Sequence, residues 1–450
     1  MGNPEVQASA TSRRMSVPAF LWARRRPLRM FEELGRWPGD IAEVRIGKQR
    51  FVVLKHPALV QELLVGNAGR IAKGRTAERN RFFNFLGDGL LNSEGEIHTR
   101  QRRLVLPAFH RSRLSNYGDI MVGAAAATCA GWKEGEVRDI SADMMSMTLS
   151  VVGNTLFSSD VGETAAAIAT GFDRLVADLN RMIFPGASLA LRSPLPFARR
   201  IREAQAGLDA IVYELIRSRR SASVDTGDLL STLLSAEDAE RPGEHLSDLE
   251  VRNQVMTLFF AGQGTTANAL SWALWILAKH PEMQDRLREE IERVVGSRPP
   301  GFGDVPKLAY ATQLVTEVLR LYPPVWTMGR ETLQDITIGG NYVAKGTLVL
   351  ASQWLVHRDA RWFVDPLEFR PERWTDELRG ALPRFAYFPF GGGARSCVGE
   401  NFAWTEMLLI LAAIVGKWRL SMTPEASLIQ PYPRISLGQD RPVRLTLNRI

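Results

Sequence analysis

Between Ser247 and Pro281 the chain reads as one helix of over 30 residues, long for a globular protein. Ser247 with Glu250 three positions on forms a capping-box pattern, and Pro281 stops the run. Val255, Leu258, Phe259, Leu270, Trp272 and Leu277 lie on several faces, so the helix should cross a core rather than rest on a surface. Its middle reads Ala261-Gly262-Gln263-Gly264-Thr265-Thr266. A glycine in a helix interior costs about 1 kcal/mol relative to alanine. Two of them imply close packing of a neighbouring helix, close approach to some other group, or a local distortion, and the pattern alone supports each.

The rest of the chain agrees with a large, mostly helical core. Apolar-periodic runs of helical length alternate with short breaks. Two stretches read as β structure, residues 41 to 64, where strands lead into a helix opened by Pro57, and Ile336 to Ala351, punctuated by Gly339, Gly340 and Gly346. The expected class is mainly α with a small β region. No repeat, low-complexity tract or linker divides the 450 residues. We expect one domain over residues 31–450, after a segment 1–30 without a readable motif. No run reaches the ~18 apolar residues needed to span a bilayer, and Pro18 to Ala23 is too short for a signal-peptide core, so a cytoplasmic protein without a transmembrane anchor is expected. Two cysteines, Cys129 and Cys397, exclude a disulfide framework. The net charge of +7 comes with no nucleic-acid motif, which favours an acidic protein partner.

Chemistry is concentrated in Phe390-Gly391-Gly392-Gly393-Ala394-Arg395-Ser396-Cys397-Val398-Gly399. Glycines let backbone approach a bulky planar group, and a cysteine just before a helix is biased towards thiolate. Such a thiolate is a strong axial ligand for haem iron. A buried core cysteine in a glycine-rich turn is the plain alternative, and the absence of Gly-Lys-Ser/Thr excludes a phosphate loop. Upstream, Glu317 and Arg320 share one face of a helix among apolar Leu314, Val315, Val318 and Leu321. An exposed pair of this kind would contribute at most about 1 kcal/mol, whereas breaking a buried one strands a charge at about 3–5 kcal/mol.

The cysteine segment resembles the haem-binding signature of the cytochrome P-450 superfamily, with Phe390, Gly393, Arg395, Cys397 and Gly399 in the family's places. The resemblance covers roughly residues 35 to 450 and orders the other motifs. It implies haem b held by Cys397, a loop including Phe390, Gly391 and Gly399 against it, and a structural core of Glu317, Arg320 and Arg373, the last from Pro371-Glu372-Arg373-Trp374. The long helix becomes the oxygen-side helix: Ala261, Gly262, Thr265 and Thr266 match, while Gly264 stands where the family has an acid. Thr265 is then the hydroxyl beside dioxygen, with Gly264 and Ala261 next to it. His98 and Arg102, one helical turn apart, together with Arg330 and Arg395, are implied as partners of the haem carboxylates. Implied pocket positions are Phe82, Phe83, Phe85, Phe260, Trp326, Met328 and Leu437, and Ile183 to Pro196 suits a lid.

The implied activity is insertion of one oxygen atom from dioxygen into an apolar small molecule; steroid, terpene, fatty acid and polyketide all remain open. Electrons should come from a separate acidic donor, of ferredoxin or flavin type, docking near Arg100, Arg103, Arg111 and Arg113, with Arg100 and Arg103 on a solvated face. Gly264 keeps a peroxide-driven enzyme or an isomerase open as alternatives, and a haem-binding sensor or carrier is the non-enzymatic one.

Overall fold

The computed structural model describes residues 10–16, 26–47, 49–73, 84–157, 171, 196–222, 226–238 and 240–450. The chain folds into two compact units, one from residues 1–75, 312–397 and 430–440, the other from 76–311, 398–429 and 441–450.

The first unit is built on a six-stranded sheet. Its spatial order is Ala10–Arg14, Ile41–Ile46, Gln49–Leu54, Leu348–Ala351, Met328–Thr332, Ile71–Ala72. The outermost strand comes from the N-terminal segment for which the sequence offers no role. It runs parallel to Ile41–Ile46, and the Arg13 guanidinium lies 4.7 Å over the Trp37 ring. The two β stretches expected from the sequence meet here, since Leu348–Ala351 pairs in parallel with residues 51–54. A separate hairpin, Ile336–Ile338 with Asn341–Val343, turns at Gly339 and Gly340 (φ +54° and +74°), the left-handed pair that a tight two-residue turn requires. Ile41, Val52, Leu54, Leu59 and Phe388 are among the core residues beneath this sheet.

In the second unit the long helix is Asp248–Lys279. The capping box at Ser247 and Glu250 is formed, and Trp272 and Leu274 are fully buried. The helix Ile140–Phe157 lies alongside it: the Thr148 hydroxyl donates to the Gln263 carbonyl at 3.1 Å. Helices Arg111–Ala130 and Pro196–Ala222 and the apolar helix Glu400–Val415 contribute to the same core. A three-stranded sheet of Trp418–Met422, Arg444–Arg449 and Val137–Asp139 completes the unit. Among the described residues, no helix is long and apolar enough to cross a membrane.

Candidate active site

In the first unit, the glycine loop is shaped by what it touches. A side chain at 392 would lie 2.3 Å from the Phe385 ring, and one at 393, where φ is +69°, would lie 2.3 Å from the Leu64 carbonyl oxygen. Only glycine lets the backbone pass at both points. Within the loop Gly391 N donates to Phe388 O at 3.0 Å, Ser396 N to Gly393 O at 3.1 Å, and Cys397 N to Phe390 O at 3.0 Å. The turn ends on an exposed Cys397. Cys129 is the opposite case: it is buried, and burial pushes its thiol up to about 12, so it stays a protonated core residue.

Beneath the loop the structure brings Glu317, Arg320 and Arg373 together. Glu317 and Arg320 are fully buried. Glu317 Oε1 accepts from Arg320 Nη2 at 2.8 Å, Arg373 Nε at 2.9 Å and Arg370 N at 3.0 Å. Its Oε2 accepts from Arg320 Nε at 2.8 Å and Trp374 Nε1 at 2.9 Å. Arg320 also donates to the carbonyls of His357 (2.8 Å), Pro366 (2.6 Å) and Glu368 (3.1 Å). The charge pair is therefore compensated on nearly every donor and acceptor, as a buried pair must be.

His357, which sequence reasoning missed, joins this network to the loop. Its Nε2 accepts from Phe388 N at 2.9 Å, at the start of the glycine turn. Burial, reinforced by the Arg320 charge, pushes the imidazole down to about 3, so it is neutral with its proton on Nδ1. The sequence signal was its place in His357-Arg358-Asp359, a polar triplet just after Trp354-Leu355-Val356.

In the second unit, the buried surface of the long helix is interrupted in its middle. Ala261 is exposed and Phe260, Gly262, Gly264 and Thr265 are half-buried, between fully buried turns on either side. The two glycines have different reasons. A side chain at 262 would lie 2.8 Å from Val152 Cγ2 of the neighbouring helix, so this one serves packing. A side chain at 264 would meet nothing within 4 Å. Thr265 Oγ1 donates to Ala261 O at 2.8 Å, leaving its lone pairs for a second partner. Gln263 turns away, donating to Met145 Sδ at 3.4 Å. Glu406 is a second group absent from the sequence reading. Burial pushes its carboxyl up to about 8, with the Thr266 hydroxyl partly offsetting this, so it is mostly protonated at neutral pH.

The remaining expected residues are distributed as follows. His98 is buried and Arg102 half-buried on the helix Gly95–Val105 of the second unit. Arg330 is buried on the strand Met328–Thr332 and Arg395 half-buried in the glycine loop of the first. Phe85 is buried and meets the half-buried Phe260 edge to face, with ring centroids 5.9 Å apart. Met328 packs against the core cluster that contains Phe385 and Phe388. Trp326 lies against Phe31 at 5.4 Å in the core that also holds Leu437 and Trp354, and Leu437 has no exposed surface there. Core packing thus accounts for Leu437. Phe82, Phe83 and most of the expected lid, residues 183–195, lie outside the described residues.

One expectation is corrected. Arg100 and Arg103 are half-buried and already paired within the unit, so they offer no free charge to a partner. Arg100 pairs with Glu250 at 2.7 Å and Glu244 at 3.4 Å; Arg103 pairs with Asp238 at 3.1 Å and Glu240 at 3.0 Å. The hairpin Glu237–Asp238 with Arg241–His245 supplies most of these acids, so the two charges are neutralised inside the unit. Arg111 remains exposed.

The first unit thus carries an exposed thiol at the end of a glycine-shaped turn, the second carries an open strip on an otherwise buried helix, and each carries cations of the kind that pair with an anionic group. The comparisons with known proteins agree. The family model described as "Cytochrome P450" matches residues 14–445. Cyclooctatin synthase of Streptomyces melanosporofaciens is 38% identical over 421 residues, covering 93% of this chain and 90% of that protein. Cyclooctat-9-en-7-ol 5-monooxygenase of the same organism is 38% identical (91% and 88% covered). Pentalenene oxygenase of Streptomyces avermitilis is 35% identical (94% and 93% covered). Among solved structures, the cytochrome P450DA heme domain superposes with a TM-score of 0.86 at 26% identity, covering 99% of both chains. A retinoic acid-bound cyanobacterial relative gives 0.82 at 26% identity, covering 92% of each. The chain belongs to the cytochrome P450 family and is a haem-dependent monooxygenase, which takes electrons from a redox partner and inserts one atom of dioxygen into an apolar substrate.

Proposed function

We propose that Cys397 supplies the axial thiolate, that Thr265 holds the distal hydroxyl, and that the substrate is an unsaturated carbocyclic hydrocarbon or its alcohol. The observation that carries the reading is the exposed Cys397 at the end of a turn whose backbone only glycine allows and whose base is pinned to a buried ion-pair network. When bound, haem supplies the cleavage of dioxygen, one atom going to substrate and one to water for two electrons and two protons.

The chain's own residues do the rest. His98, Arg102, Arg330 and Arg395 compensate the haem carboxylates, and Phe390, Gly391 and Gly399 belong to the loop against it. The Thr265 hydroxyl, anchored on Ala261 O, would accept a hydrogen bond from a water that carries protons to the oxygen side. Gly264, with open space around it, leaves room for that water or for a substrate hydroxyl in place of the family's acid. Phe260 and Ala261 present apolar surface to the substrate, and the buried ring of Phe85 backs Phe260. Two of the relatives bear names that denote an alkenol and an alkene as substrates. Of the four classes open from sequence, terpene hydrocarbons fit that chemistry. The donor in this reading is a separate acidic ferredoxin or flavin-type protein, met at Arg111 and Arg113 rather than at Arg100 and Arg103, and the protein works in the cytoplasm.

The test is spectroscopic. Cys397→Ser loses the red-shifted Soret band of the reduced carbon monoxide complex, while Cys129→Ser keeps it. A band that persists in Cys397→Ser overturns the ligand assignment. Soret shifts across a panel of cyclic alkenes and alkenols, set against fatty acids and steroids, test the substrate class.

A further inference from the structure

The first turns of the long helix hold a run of polar side chains buried in an apolar unit: Arg252, Asn253, Gln254 and Thr257. Burying such groups is unfavourable unless they are partnered, so their partners show what they are for. Arg252 Nη2 donates to the Phe85 carbonyl at 2.8 Å and also to Asp209 Oδ1, its Nε donates to Asp209 Oδ1 at 2.8 Å, and its Nη1 donates to Asn253 Oδ1 at 3.0 Å. Gln254 Oε1 accepts from Leu90 N at 3.0 Å. Gly87 and Gly89 press onto the same face: a side chain at 87 would lie 2.1 Å from Asn253 Oδ1, and one at 89 would lie 2.2 Å from Thr257 Oγ1. The segment 85–90 is therefore seated on the helix by a polar bed.

Two turns further along, the ring of Phe85 meets Phe260, at the edge of the strip that carries Ala261, Gly264 and Thr265. Asp209 comes from a third element, the helix Pro196–Ala222, and keeps 27% of its side chain exposed, against 5% for Arg252. One guanidinium thus holds both the loop that presents Phe85 and a helix reached by solvent.

We infer that Arg252 is a positioning residue, and that its ion pair with Asp209 is the latch that sets how tightly Phe85 holds Phe260 against a ligand on the strip. The inference rests on the proposal that this strip faces the oxygen and substrate side. Opening the pair at its exposed end loosens the tie between the helix Pro196–Ala222 and the loop, while Leu208, Val212 and Ile216 keep the helix in the apolar core. Ligands large enough to touch Phe260 then exchange faster, while ligands that touch only iron do not respond. Because loop and helix share one guanidinium, damage at either arm releases the same element, so the two effects do not add.

The experiment uses the holoenzyme and two iron-binding probes, 4-phenylimidazole and cyanide, followed by stopped-flow absorbance. Asp209→Asn should speed both binding and release of 4-phenylimidazole by roughly 5- to 30-fold, the range for losing a partly exposed charge-assisted contact. Cyanide affinity and the reduced carbon monoxide band should stay at parental values. Arg252→Lys keeps a positive charge but cannot span Asp209, Asn253 and the Phe85 carbonyl together. It should also speed 4-phenylimidazole release, and the double variant should be no faster than the faster single one. Release from Asp209→Asn within twofold of the parent overturns the latch. So does a cyanide response in step with the larger probe, which would report general loosening, and so do additive effects in the double variant. A failure of the strip assignment shows separately: Thr265→Ala would then leave product formed per electron unchanged, whatever Asp209→Asn does.

Discussion

Glu317→Gln removes one charge from a carboxylate that accepts five hydrogen bonds, with almost no change of shape. In the parent, three N–H groups point at Oε1 and two at Oε2. An amide offers one accepting oxygen, and its NH2 must face at least two of those donors. Arg320 keeps its contacts to the carbonyls of His357, Pro366 and Glu368 but loses its counter-ion in a place with no exposed surface. Stranding a buried charge costs about 3–5 kcal/mol, two to four powers of ten in the folding equilibrium, against a total stability of about 5–15 kcal/mol. Arg320 also holds the carbonyl of His357, whose ring holds Phe388, so the loss is transmitted to the base of the Cys397 turn. The expected result is a lower denaturant midpoint and a smaller haem-loaded fraction at equal expression. Glu317→Asp keeps the charge and should retain part of both. A Glu317→Gln holoprotein with the parental midpoint and full haem content would refute the reasoning, because it would mean that the buried charge is compensated by something other than Glu317.

The two glycines of the long helix should respond in opposite ways. Gly262→Ala runs into Val152 and should lower the denaturant midpoint despite better helix propensity, whereas Gly264→Ala should raise the midpoint, by a stability gain of up to about 1 kcal/mol, and lower product formed per electron, since the added methyl takes space beside Thr265. Glu406, with its carboxyl raised to about 8 from 4.5, contributes stability that is complete below pH 4.5 and is lost as pH rises through 8, so Glu406→Gln should gain on the parent by about 1 kcal/mol per pH unit between pH 5 and 8, and parallel pH profiles of the two midpoints would exclude this. Neutralising Arg111 and Arg113 should lower turnover with an acidic donor at low salt, while Arg100→Gln and Arg103→Gln should act mainly on stability because their partners are internal; equal kinetic effects at all four would restore the wider docking face.

What could be read from the sequence, and what could not, follows from the range over which each residue's partners lie. The long helix was legible because its signals are local: a cap at Ser247, a stop at Pro281 and apolar side chains at helical spacing. The β stretches were legible for the same reason, as was the turn at Gly339 and Gly340. The Cys397 loop was legible as a string of residue types, but its rigidity was not, because the atoms that forbid side chains at 392 and 393 belong to Phe385 and Leu64. His357 and Glu406 escaped for a related reason. A histidine or glutamate carries no local mark of burial, and its meaning here depends on Phe388, 31 residues away, and on Thr266, on a different helix. Arg100 and Arg103 show the same limit from the other side. A basic run on a helix reads as a solvated face until Asp238, 135 residues further on, is folded against it. The two glycines of one helix make the point most sharply. Gly262 and Gly264 are indistinguishable by propensity and two positions apart, yet one is required by the Val152 side chain of a neighbouring helix and the other borders open space. Successive residues two apart on a helix point some 200° from each other, so adjacent glycines answer to different neighbours, and only the neighbours decide which is packing and which is site.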